Sequence, residues 1–201
     1  MQYLDIIKNT IKNKKIIEAF EKIKRSDFLP KEIKDKAYLD IPLPLMDGQT
    51  ASQPSLIAYM LKELDIKPGD KILEIGAGSG FVTALLSYLV GNKGKVYAIE
   101  INPKLYLFAK RNLEKYPFTK NVKLILGSGY FGYDKEKPYD KIYVGAAPPK
   151  IPKEIVDQLK VNGICVMPVG TYNQKLVKII KKDGNIEIIP LMDVSFVPLV
   201  K

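Results

Sequence analysis

The ten residues from Lys71 to Gly80, Lys-Ile-Leu-Glu-Ile-Gly-Ala-Gly-Ser-Gly, constrain this chain more than any other stretch. Ile72, Leu73 and Ile75 form a short apolar run of buried-strand type, glycines follow at 76, 78 and 80, and a helical pattern runs from Phe81 to Leu89. Glycine lets the backbone turn sharply and lets a ligand approach it closely. The segment therefore reads as a strand, a tight loop and a helix whose first N–H groups face whatever the loop holds. Two acids mark it further. Glu74 lies just inside the strand end, and Glu100 ends the next strand-like run, Lys95 to Ile99. A carboxylate about twenty positions beyond such a loop, at the tip of the second parallel strand, suits hydrogen bonding to the two hydroxyls of a ribose.

The dinucleotide fingerprint Gly-x-Gly-x-x-Gly is not met: counted from Gly76, Gly78 fits, but Phe81 stands where the third glycine belongs. The loop instead resembles the first motif of the class I S-adenosylmethionine-dependent methyltransferases, Glu-x-Gly-x-Gly-x-Gly, with Ile75, Ala77 and Ser79 between the fixed positions. That resemblance implies S-adenosyl-L-methionine as cofactor in place of NAD.

The order of elements agrees. Apolar residues at approximate helical spacing between Tyr3 and Phe20 predict one or two amphipathic helices, and Ala37 to Leu45, rich in proline, predicts extended chain. Asp47-Gly48 predicts a turn. Ser52, two residues before Pro54 and ahead of the periodic run Leu56 to Leu64, reads from these residues alone as a helix cap. Beyond the glycine loop the expectations are a strand at 95–99, a helix at 103–115, strands at 122–126 and 139–144, a helix at 153–159 and a strand at 164–167. Lys175 to Ile180 and Ile186 to Leu191, around Asp183-Gly184-Asn185, predict a hairpin. The fold expected is α/β, a doubly wound and mostly parallel sheet of Rossmann-like class I methyltransferase type, with a C-terminal antiparallel hairpin and an N-terminal helical segment. We expect one domain over 1–201: a substrate-side segment at 1–48, a cofactor-binding core at 49–170, and a hairpin and strand at 171–201.

With no histidine and the single Cys165 inside an apolar run, neither a zinc site nor a histidine-based triad is available, and no metal is expected. A formal net charge of +10 suggests nucleic acid, yet Arg25 and Arg111 are the only arginines. Arginine is the residue that reads phosphates and base edges in a forked geometry, so lysine-rich charge fits a solvated surface better. No apolar run has the length of a membrane span, and Met1-Gln2-Tyr3-Leu4-Asp5 lacks a signal-peptide layout; a cytoplasmic monomer is expected.

Stretches outside the loop sharpen the resemblance. Arg25 with Phe28-Leu29-Pro30, Ala37-Tyr38, Leu43-Pro44, Gln49-Thr50-x-Ser52-x-Pro54, Pro138-Tyr139-Asp140, Ala146-Ala147, Pro152, Gln158-Leu159, Pro168-Val169-Gly170 and Val194-Ser195-Phe196-Val197-Pro198-Leu199 follow one another as in the protein-L-isoaspartate O-methyltransferases. Members of that family methylate the free α-carboxylate of L-isoaspartyl residues in damaged proteins and peptides, and the ester collapses to a succinimide that can reopen as normal aspartate. The resemblance implies Ser52 as the catalytic residue that holds the incoming carboxylate, and Ala51, Ser52, Val197 and Pro198 as the substrate contacts. For the cofactor it implies Gln49, Thr50, Glu74, Gly76, Ala77, Gly78, Ser79, Gly80, Glu100, Ile101, Gly127, Ser128 and Gly129. An α-carboxylate of ordinary pKa about 3.5 is ionised at neutral pH, so the reaction needs positioning and no general base.

The chain departs from the family pattern in three places. Gly127-Ser128-Gly129 stands for the usual Gly-Asp-Gly, Thr50-Ala51-Ser52 for Thr-Ile-Ser, and the glycine usual before the Gly-Gln-Thr turn is replaced around Met46-Asp47. Two alternatives stand beside the repair enzyme: a homologue with lost or altered activity, and a nucleic-acid methyltransferase. Base methylases generally carry Asp or Asn, Pro-Pro and an aromatic residue after the fourth strand, whereas this chain has Ala147-Pro148-Pro149-Lys150.

Overall fold

The apolar run at Ile72 becomes an inner strand of a seven-stranded sheet in a computed structural model that describes residues 2–201. In chain order the elements are α1 (Tyr3–Thr10), α2 (Lys14–Lys22), β1 (Leu43–Pro44), β2 (Thr50–Ala51), α3 (Pro54–Leu64), β3 (Lys71–Ile75), α4 (Phe81–Val90) and β4 (Lys95–Glu100). Then come α5 (Pro103–Leu113), β5 (Val122–Leu126), β6 (Tyr139–Val144), α6 (Lys153–Asp157), β7 (Leu159–Val169), β8 (Gln174–Lys181) and β9 (Ile186–Val194).

The sheet order is β5-β4-β3-β6-β7-β8-β9. β5 through β7 pair in parallel, and β8 and β9 add the antiparallel hairpin. Because the chain winds outward from β3 through β4 to β5 and then returns to β6 on the other side, the topology reverses between β3 and β6, where open α/β sheets bind ligands. Side chains alternate across β3. Ile72 joins a core with α1 to α4, including Phe20, Leu61 and Leu85, while Leu73 and Ile75 join a second core under α6 with Ile142 and Ile155.

Of the one or two helices expected before Ile23 the structure has two, with Asn13 accepting from the N–H groups of Lys15 and Ile16 to start the second. Other boundaries differ from the sequence reading. The expected helix at 153–159 stops at Asp157, and β7 begins at Leu159, because Leu159 is already paired with Tyr139 across a bulge that the apolar pattern does not show. Ala37 to Leu45 is not uniformly extended: turns run to Ile41, and only Leu43–Pro44 is strand, paired with Thr50–Ala51 in a small separate hairpin.

Candidate active site

The glycine loop is fixed by its neighbours' backbone. Gly76 and Ala77 donate their N–H groups to the carbonyl of Ile99 at 2.9 and 3.0 Å. The Gly78 N–H donates to Glu100 Oε2 at 2.7 Å, and the Asn102 N–H donates to Glu100 Oε1 at 2.8 Å. Burial pushes the Glu100 carboxyl up in pKa, while the N–H groups of Asn102, Gly78 and Ile101 pull it back. A carboxylate oxygen accepts two hydrogen bonds, so one donor on each leaves Glu100 oriented and still able to accept a pair of hydroxyls.

Gly78 has φ +56°, and a Cβ built there would meet only Leu45 Cδ1, at 3.9 Å, so the loop is open except where that side chain covers it. Gly76 packs backbone to backbone on Gly145, just past β6, where a Cβ would come to 3.1 Å from the Gly76 carbonyl oxygen. A side chain at Gly145 would therefore crowd the switch point, and the sequence reading did not single this residue out.

Other expected cofactor residues take different places. Ser79 and Gly80 face inward: the Ser79 carbonyl accepts from Asn112 Nδ2 at 3.0 Å, and Gly80 packs on Ala109. Ile101 is exposed beyond Glu100, and Gly127 is tied to the end of β4 by its N–H to the Glu100 carbonyl at 3.0 Å. Gly129 packs on Ile75, and Ser128 Oγ accepts from the Tyr130 N–H at 3.2 Å.

Glu74 is the unusual member. Period-two alternation sends it to the α4 face beside Tyr143, where it is fully enclosed and both oxygens lack a hydrogen-bond partner; Thr83 Oγ1 is also buried without one. Burial raises the Glu74 carboxyl to about 8, nearby Thr83 draws it down, and the Glu100 charge raises it further.

A cavity of about 690 Å³ opens beside Gly145, walled by Thr50, Ser52 and Val197, by Ile6 of α1 and Ile11 just past its end, and by Leu56 and Tyr59 of α3. Ser52 does not cap α3. Gln53 holds the N-cap position, and Asp40 caps from a distance: its Oδ1 accepts from the Ser55 N–H at 2.8 Å and its Oδ2 from Gln53 Nε2 at 2.9 Å. Among the described residues the Ser52 hydroxyl has no hydrogen-bond partner, and Ser52 lines the cavity. Ala51 pairs with Leu43, and the Gln49 backbone closes the turn to Leu45 and Met46. Val197 and Pro198 are held against the loop after β6, where the Ala147 N–H donates to the Val197 carbonyl at 2.8 Å and the Leu199 N–H to the Ala147 carbonyl at 2.9 Å.

Behind this wall is Arg25, only 2% exposed. Nη1 donates to the carbonyls of Leu39 at 2.9 Å and Ala37 at 3.4 Å, and Nη2 to those of Ile41 at 2.9 Å and Ser52 at 3.2 Å. Burial lowers its pKa to about 10, which leaves it charged at neutral pH. One guanidinium thus gathers the segment that ends in Ser52. A signal was available: this is one of two arginines in a chain that otherwise uses lysine.

No helix is long and apolar enough to cross a membrane, and no cluster of metal-ligating side chains occurs, among the described residues.

Comparison with known proteins agrees with this geometry. The profile of the family described as protein-L-isoaspartate(D-aspartate) O-methyltransferase matches residues 3–201. A protein-L-isoaspartate O-methyltransferase of Pyrococcus horikoshii is 47% identical over 193 residues, 94% of this chain and 86% of the relative. One of Thermosipho melanesiensis is 46% identical over 189 residues, 94% of this chain and 95% of the relative. A solved protein-L-isoaspartate O-methyltransferase superposes with a TM-score of 0.91 at 31% identity, covering 98% of this chain and 65% of that one. A Plasmodium falciparum protein assigned to the same activity, in complex with S-adenosyl-L-homocysteine, gives 0.88 at 29% identity over 98% of this chain and 96% of that one. This chain belongs to the protein-L-isoaspartate O-methyltransferase family.

Proposed function

We propose that the chain moves a methyl group from S-adenosyl-L-methionine to the free α-carboxylate of L-isoaspartyl residues in proteins and peptides. The observation that carries this is Ser52 on the wall of a cavity that reaches Gly145, the residue packed against Gly76 of the glycine loop.

The residues present fit the cofactor. Glu100 is oriented with lone pairs to spare, Gly78 leaves room where a side chain would stand, and Glu74 sets a buried carboxyl group, unpartnered on both oxygens, in the strand beneath the loop. Glu100 would hold the ribose, Gly76 to Gly78 the amino-acid part, and Gln49, Thr50, Ile101 and Gly127 to Gly129 the margins. When bound, the cofactor supplies an electrophilic methyl on a sulfonium: the carboxylate oxygen forms a bond to the methyl carbon as the carbon–sulfur bond breaks, leaving a methyl ester and a neutral thioether.

What remains for the protein is alignment. The Ser52 hydroxyl donates to one carboxylate oxygen, which fixes the direction of the other without moving a proton. Ala51, Val197 and Pro198 shape the passage for the flanking peptide. Apolar walls exclude water. Neither general base nor metal is used, consistent with a chain that has no histidine.

A protein substrate is favoured over nucleic acid because the segment after β6 is spent on pairing Ala147 with the C-terminal residues and presents neither a polar acceptor nor a stacking ring. We expect a cytoplasmic monomer. Turnover with an isoaspartyl peptide, its normal aspartyl twin and bulk tRNA tests the reading: methylation of the first alone is expected, and methylation of tRNA, or of neither peptide, would overturn it.

A further inference from the structure

The small hairpin between Leu43 and Ala51 carries a feature that the proposed reaction does not require. Its tip turns through two successive left-handed residues, Asp47 at φ +55° and Gly48 at φ +74°. The family pattern has glycine in this region, and a left-handed conformation is one that aspartate accepts more readily than most side chains. Aspartate at this tip brings a carboxylate that glycine lacks. Oδ2 accepts from Asn102 Nδ2 at 2.8 Å and Oδ1 from Lys104 Nζ at 2.9 Å.

Asn102 also supports Glu100. Its backbone N–H donates to Glu100 Oε1, while its side-chain oxygen caps α5 by accepting from the N–H groups of Lys104 and Leu105 at 2.9 and 3.2 Å. The tip is thus fastened to the residue that orients the ribose carboxylate. Two positions before Asp47, Leu45 supplies the side chain that covers Gly78, and on the returning strand Thr50 lines the cavity that Ser52 shares. One short hairpin brings Leu45 against the cofactor loop at Gly78, contributes Thr50 to the substrate cavity and is tied down at its tip.

We infer that the hairpin is a lid over the cofactor and that Asp47, through Asn102 and Lys104, is its latch. Asp47 is a positioning residue: closed, the latch holds Leu45 over the loop and slows cofactor release. The inference rests on the cofactor reading above. The ion pair is exposed, so its effect is modest and salt-sensitive.

The test is release of S-adenosylhomocysteine measured by stopped flow at low and high salt. The variants are Asp47→Asn, which keeps a residue tolerant of the left-handed conformation, Lys104→Met, and the double variant, each with a melting temperature. Expected are release roughly two- to fivefold faster in either single variant, a double variant no faster than the faster single, and a salt dependence present only in the wild type. Hydrogen exchange at residues 45–49 of the bound protein should quicken in the same variants while the melting temperature stays put. If the wild type binds S-adenosylhomocysteine and Asp47→Asn releases it at the wild-type rate, the latch is wrong and the cofactor reading survives. Strictly additive effects of the two substitutions would also overturn it. If the wild type does not bind S-adenosylhomocysteine, both fall.

Discussion

The two sides of the site are built by different means. On the cofactor side, Gly76, Ala77, Gly78 and Gly127 are held by hydrogen bonds to the end of β4, the strand beside them, so regular parallel pairing places nearly everything. On the substrate side there is little regular structure between α2 and α3. Single polar side chains reach across the chain instead: Arg25 to four carbonyls ending at Ser52, Asp40 to the start of α3, Asp47 to the start of α5. A cradle made by a sheet tolerates changes in most of its side chains, whereas a wall hung on a few charged groups depends on each of them.

The largest effect should come from breaking the cradle itself. Gly78→Val forces a branched side chain into a left-handed position and into the loop's open space, and should abolish S-adenosylhomocysteine binding by calorimetry while the protein stays soluble. Normal binding would mean that the loop is not the cradle.

Next, Ser52→Ala should lower turnover by up to about 10²–10³, the worth of a preorganised donor at a reacting oxygen, with cofactor affinity changed only a few-fold. Since Asp40 does the capping, its melting temperature should not move. A loss of about 1 kcal/mol at full rate per folded molecule would restore the cap reading.

Glu100→Ala removes the proposed partner of two hydroxyls and should weaken S-adenosylhomocysteine by about one to two decades, since hydrogen bonds to a charged group contribute about 1.5–3 kcal/mol. It also frees the Gly78 N–H, so hydrogen exchange in the loop should rise. Unchanged affinity in a folded variant would reduce Glu100 to a structural acid.

Arg25→Met keeps much of the bulk and leaves four carbonyl oxygens without their donor. It should cost about 1–3 kcal/mol in denaturant melts and reduce turnover more than cofactor affinity. Equal losses of both would mean that the two sides are not separately built.

The smallest effect is a dependence on pH. Glu74 has its pKa raised from an ordinary 4.5 to about 8, so the folded protein holds this proton where the unfolded chain has lost it. Its favourable contribution is complete below about 4.5 and is lost as pH rises towards about 8. Melting temperatures of the ligand-free protein should therefore fall across that window, and Glu74→Gln should flatten the fall. An unchanged slope would mean that Glu74 is ionised throughout.

The same contrast explains what the sequence disclosed. Ile72 to Ile75, the glycines and Glu100 were legible because a buried parallel strand, a tight loop and an acid at the tip of the next strand each leave a local pattern. Ser52 was legible only through the family's Gln-Thr-x-Ser; its own neighbours suggested a cap, and the true cap, Asp40, lies fifteen residues from the Ser55 N–H it accepts. Gly145 carries no period or motif of its own. Arg25 and Asp47 act by reach, and nothing in the spacing of a charged residue tells which distant carbonyl or helix end it will meet.

The most direct test of the central claim follows one isoaspartyl peptide by mass spectrometry during incubation with the protein and S-adenosyl-L-methionine. A carboxylate methyl ester next to the isoaspartyl linkage should appear, lose methanol to the succinimide, and reopen in part as normal aspartyl peptide. A methyl group that stays on the peptide, borne by an amine or a different carboxylate, or no methylated species at all, would contradict the account.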